Sequence, residues 1–114
     1  MTPRKIATAA AAFAVVFAGA ACASTTTGTI AQIATNKRDS PNLVFVRMNP
    51  QPTPEACATN TAWSYVFSMT TDTDKKTFAL LEGALLAGRT VIITGTGACA
   101  DYSTIESGNT VILN

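Results

Sequence analysis

Gly95, Gly97 and Ala100 stand in a G-x-G-x-x-A spacing directly after the apolar run Val91-Ile92-Ile93. Such a spacing can bring backbone N–H groups and a helix N-terminus against a pyrophosphate. That chemistry needs a strand–helix–strand unit of about 30 residues, with an acidic ribose ligand about 20 residues further on. Fourteen residues follow Ala100 and Gly108 interrupts them, so no dinucleotide cofactor is expected here. The two glycines are read instead as a sharp strand exit, where positive φ or close packing excludes larger side chains.

Other reactive arrangements are equally thin. The sequence contains no histidine, which removes the usual general base and with it a serine–histidine or cysteine–histidine nucleophile. Without histidine, Cys57 and Cys99, the two cysteines outside the N-terminal apolar segment, cannot complete an ordinary zinc site, so neither a metal nor another cofactor is expected. Asp72 and Asp74 could act as an acidic pair, but their place at the start of a helical pattern favours capping and dipole complementation. Glu82 reads as a solvated flank of that helix, and Asp101 and Glu106 have no spacing that implies a role. No catalytic residue is assigned, and the chain is expected not to be an enzyme.

The N-terminus carries an address. Arg4-Lys5 precedes an almost uninterrupted apolar run from Ile6 to Ala21, and Ala21-Cys22-Ala23 supplies a small-x-small cleavage pattern. A signal peptide over 1–23, removed after Ala23, is the expectation, because the run is short for a membrane span of about 20 residues. The expected location is secreted or periplasmic, with a lipid anchor through Cys22 as the alternative. Removal leaves residues 24–114 as one small domain. Of the eight basic residues, Arg4 and Lys5 leave with the signal, so six face seven acidic ones. A basic stripe for phosphates is missing, and no nucleic-acid partner is expected.

Cys57 and Cys99 remain in a compartment where disulfides persist, and one intrachain bridge is expected. Closing a loop of about 43 residues is worth about 4 kcal/mol in the chain-entropy account, comparable with the whole stability of so small a domain. Two free thiols, or pairing between chains, are the alternatives.

Hydrophobic periodicity supplies the positioning elements. Ser24 to Thr27 is expected to fray. Thr29–Thr35 reads as a strand whose alternation breaks once between Ile30 and Ile33, as at a bulge. Leu43–Met48 reads as a second strand, apolar on both faces, and Trp63–Thr70 as a third with Trp63, Tyr65, Phe67 and Met69 on one side. Three prolines in Asn49–Glu55 predict a surface loop tied down by Cys57. Phe78, Leu81 and Leu85 recur at helical spacing between Asp72–Asp74 and Gly88. Arg89–Thr94 reads as the fourth strand, and the fifth as split into Tyr102–Glu106 and Thr110–Leu113 around Ser107-Gly108-Asn109. The fold class is therefore mainly β with one helix. Five strands with the helix between strands 3 and 4 is the order of an OB-fold-like barrel.

The aromatic row admits two readings: core packing, which a barrel this small needs, or a ligand platform formed by Trp63 and Tyr65. Trp63, beside the cysteine-anchored loop, is placed at the barrel mouth. A cysteine before Trp63-Ser64-Tyr65-Val66-Phe67, an alanine- and leucine-rich helix and Gly95-Thr96-Gly97-Ala98-Cys99 together resemble short secreted bacterial proteins without an assigned role. In size and layout the chain is more remotely similar to the pentameric OB-fold cell-binding subunits of bacterial toxins of the subtilase cytotoxin type. That resemblance spans about 28–113 and implies recognition of sialylated glycans and ring assembly, with no glycan-contacting residue carried over. The expected function is an exported, non-enzymatic binding module for a glycan or protein ligand. The alternatives are an envelope lipoprotein of structural role, or a small secreted hydrolase or inhibitor. Leucines spread around the helix also predict a homo-oligomer, against a monomer in which the Pro50–Ala62 loop covers them.

Overall fold

A computed structural model describes residues 23–114. The expected signal segment up to Cys22, and Cys22 itself, lie outside the described residues. Five strands, β1 (Thr25–Asn36), β2 (Ser40–Asn49), β3 (Tyr65–Ser68), β4 (Val91–Gly95) and β5 (Gly108–Leu113), form one antiparallel sheet in the order β3-β2-β1-β4-β5. Helix α1 (Asp72–Ala87) connects β3 to β4, as expected. The sheet is not closed by a continuous ladder. Its two edges meet at a single parallel bridge, Val66 with Ser107.

The long first strand makes this arrangement possible. Its start, Thr25–Gly28, pairs with β4, while Thr29–Asn36 pairs with β2, so one strand serves two neighbours. A register shift between Ile30 and Gln32 marks the expected irregularity, and such a bulge lets the strand bend. The segment Ser24–Thr27 does not fray. Threonines of high strand propensity find the backbone partners of β4 there, from Thr25 opposite Thr94 to Thr27 opposite Ile92.

Strand β2 is apolar on both faces because each face meets its own cluster. Val44, Val46 and Met48 join Tyr65, Phe67 and Leu81 in the larger core. Phe45, on the opposite face, packs with Val66 and Ile105. Helix α1 covers the larger core with Leu81 and Ala84 buried and Phe78 and Leu85 packed alongside.

The helix ends follow local chemistry. The N-cap is Thr71 rather than an aspartate, with Asp74 completing a reciprocal capping box: the Asp74 N–H donates to the Thr71 hydroxyl at 3.1 Å, and the Thr71 N–H to the Asp74 carboxylate at 3.0 Å. At the other end Gly88 takes the left-handed conformation, φ 65°, and the Arg89 N–H reaches back to the Ala84 carbonyl. That bond takes Arg89 out of the fourth strand, which begins at Val91.

Two further boundaries differ from the sequence reading. Trp63 and Ser64 precede β3 instead of opening it, because the Ser64 hydroxyl is occupied by the Met48 N–H and the Gln51 side chain. The fifth strand is not split: Tyr102–Glu106 forms a turn closed by the Tyr102–Ile105 pair, and only Gly108–Leu113 is strand.

Candidate functional site

The loop between β2 and β3 has no regular secondary structure, yet its backbone is held from several sides. The Gln51 amide donates to the Thr61 carbonyl at 3.3 Å while its carbonyl oxygen accepts from the Ser64 hydroxyl. The Asn60 side-chain oxygen accepts the N–H groups of Ala62 and Trp63 at 2.8 and 3.2 Å, and the Asn60 N–H binds the Thr104 carbonyl at 3.0 Å. Cys57 is bonded to Cys99, with Cα atoms 6.0 Å apart. Of the pairings left open by the sequence, the intrachain bridge is the one present, as suits an oxidising compartment.

Trp63 stands where this loop meets the sheet. Its ring packs against Phe45 at 5.9 Å between centroids, and Phe45 in turn meets Tyr102 edge-on at 5.3 Å. A cavity of about 510 Å³ opens beside it, lined by Gln51, Pro52, Pro54, Asn60, Trp63 and Glu106 among others. A second of about 330 Å³ shares Trp63 and Asn60 and is completed by Phe45, Tyr102 and the end of β1. The larger has the size of a small-molecule site.

Tyr65 and Trp63 part company. Tyr65 is fully buried, its hydroxyl bonded to the Ser24 hydroxyl at 2.7 Å and the Thr26 hydroxyl at 2.9 Å. Burial pushes the phenol above the ordinary tyrosine value, opposed by the hydrogen bonds of Ser24 and Thr26. Its ring is part of the larger core and shows no face to a ligand. Phe67 is buried in the same core.

Glu106 is, with Asp101, one of two acidic groups that the sequence left without a role. It is 2% exposed and still lines the larger cavity. Its carboxylate accepts the Ser24 N–H at 3.2 Å, the Ser24 hydroxyl at 2.5 Å and the Gly97 N–H at 2.9 Å. Gly95 and Gly97 are required for different reasons. A methyl group on Gly95 would overlap the Glu106 carboxylate, and Gly97 has φ 83°. Close approach excludes a side chain at the first, and the left-handed backbone disfavours one at the second.

Asp101 is exposed, and its N–H binds the Ser107 hydroxyl at 3.1 Å. Asp72 is exposed at the helix start, and no group of three potential metal ligands occurs among the described residues. Chemically, the larger cavity offers one broad aromatic side chain, two proline rings, amides held in fixed orientation and a carboxylate already bound by three donors. These are the means of shape and hydrogen-bond recognition. Comparison with known protein families, with curated proteins and with solved structures finds no match.

Proposed function

We propose that this protein is an exported, non-enzymatic binding module whose ligand is a glycan held in the cavity beside Trp63. One observation carries the reading: a half-buried indole lines a roughly 510 Å³ cavity whose other lining residues come mostly from a cross-linked, hydrogen-bonded loop. Sugar rings present apolar C–H faces that stack on aromatic surfaces, while their hydroxyls need fixed polar partners. A wall already ordered before binding loses little conformational freedom when the ligand arrives. The strand order β3-β2-β1-β4-β5, with a parallel contact between β3 and the residue before β5, supports an OB-like barrel, a fold that uses one face and its loops for ligands. The resemblance in size and layout to toxin cell-binding subunits, read from the sequence alone, implies the same ligand class.

Glycan-array screening of the exported protein tests this. We expect reproducible binding to a restricted set of glycans, weakened at least about tenfold by Trp63→Ala with the disulfide and far-ultraviolet circular dichroism retained. Silence on the array at high protein concentration, or binding indifferent to Trp63→Ala, overturns it. Reproducible turnover lost on changing Glu106 or Asp101 would point to the small hydrolase instead.

A further inference from the structure

Glu106 is a buried carboxylate with no cationic side chain within 4.0 Å among the described residues. Among the described residues the only ion pair within 4.0 Å joins exposed Arg38 and Asp39. A buried charge is costly unless it is paired or fully hydrogen-bonded. Three donors reach this one, and two of them belong to Ser24. Ser24 is itself fixed, since its carbonyl accepts the Gly95 N–H at 2.9 Å and its hydroxyl contacts Tyr65 at 2.7 Å. Ser24 is also the residue that follows Ala21-Cys22-Ala23.

We propose that cleavage after Ala23 makes the Ser24 nitrogen the counter-ion of Glu106, so that processing replaces a neutral amide donor by a cation and forms a buried ion pair at the cavity wall. Hydrolysis of the Ala23–Ser24 amide by a signal peptidase adds water across that bond. A carboxylate stays on Ala23, and the amine left on Ser24 takes up a proton, since an α-amine has an ordinary pKa near about 8. The 3.2 Å separation from the Glu106 oxygen is already a bonding distance, so the new ammonium needs no rearrangement of β1 to reach it. The ammonium brings a positive charge to a hydrogen bond whose acceptor is already ionised, which adds the Coulomb attraction of a close pair. Next to this ammonium stand the Glu106 carboxylate and the hydroxyls of Ser24 and Tyr65, with the Glu55 carboxylate near enough to act on Tyr65. The proposal is independent of what occupies the cavity.

The test uses the full chain exported by a bacterial host. N-terminal sequencing and intact mass are expected to place Ser24 first. The Ser24 amine should then react with an acylating reagent at least about tenfold more slowly in the native protein than in urea. Glu106→Gln, if folded, should remove most of that protection. An alanine inserted between Ala23 and Ser24 moves the charge one residue outward, and the thermal midpoint should fall by several degrees. A product beginning at Cys22 or at any residue other than Ser24 overturns the proposal. So does native acylation at the unfolded rate, or an inserted alanine that leaves the midpoint unchanged.

Discussion

At Glu106 the carboxylate collects donors from residues 24 and 97, and the Cα of Gly95 faces it with no room for a methyl group. Gly95→Ala must therefore displace either the carboxylate or the turn that follows β4. Overpacking of this kind costs about 1–3 kcal/mol. It should be seen as a lower urea midpoint at unchanged slope, and an unaltered midpoint would mean that Glu106 swings aside freely. Glu106 was invisible in the sequence because its Ser24 partner lies 82 positions away, and no local pattern encodes so distant a contact. Gly95 and Gly97 were legible as special positions, since glycine is a poor strand former and two of them closing an apolar run mark a backbone constraint. Trp63 was legible by its place near Cys57. Tyr65, at the start of β3, is enclosed by the larger core, and only its packing role survives.

Helix α1 is set by its caps as much as by its buried stripe. Thr71→Ala should cost about 1 kcal/mol by removing the oxygen that binds the Asp74 N–H, read as a fall in thermal midpoint. The N–H groups of Thr70 and Thr71 hold the Asp74 carboxyl below the usual aspartate range. A carboxylate with a depressed folded-state pKa adds stability that is present above its unfolded value, near about 3.9. That stability is lost as pH falls through the folded value. Asp74→Asn should therefore weaken the protein at neutral pH, and the gap from wild type should narrow as pH drops below about 4. A gap constant down to the acid transition would contradict the cap assignment. Helix and strand identities were legible from period, whereas their ends shifted wherever a side chain took a backbone partner, as Ser64 does with the Met48 N–H.

Across the whole molecule the apolar surface is uneven. Leu86 is 82% exposed, and Ile112 and Leu113 of edge strand β5 are exposed on an element that packs against the same helix. Exposed leucine and an unpaired strand edge are both surfaces that a second copy can cover. Light scattering at tens of micromolar is expected to read a mass above the monomer, reverting to the monomer in Leu86→Glu. A monomer mass unaffected by that change would sink self-association. The spread of leucines around the helix made exposed leucine legible in advance, and the element order made a barrel the expectation, but that the two sheet edges meet at one bridge only did not show, because that bridge joins residues far apart in sequence.

That bridge gains a different meaning once the chain is traced through its covalent bonds. Along the backbone, Val66 and Ser107 are separated by roughly forty residues, but through Cys57 and Cys99 the path shortens to fewer than about twenty, which lowers the entropic cost of closing it by about 0.7 kcal/mol. This contact, long-range along the backbone, becomes nearly local in the oxidised chain. Oxidation thus lowers the effective contact order of the sheet's two edges, and it favours the order of events in which cross-linking precedes their meeting.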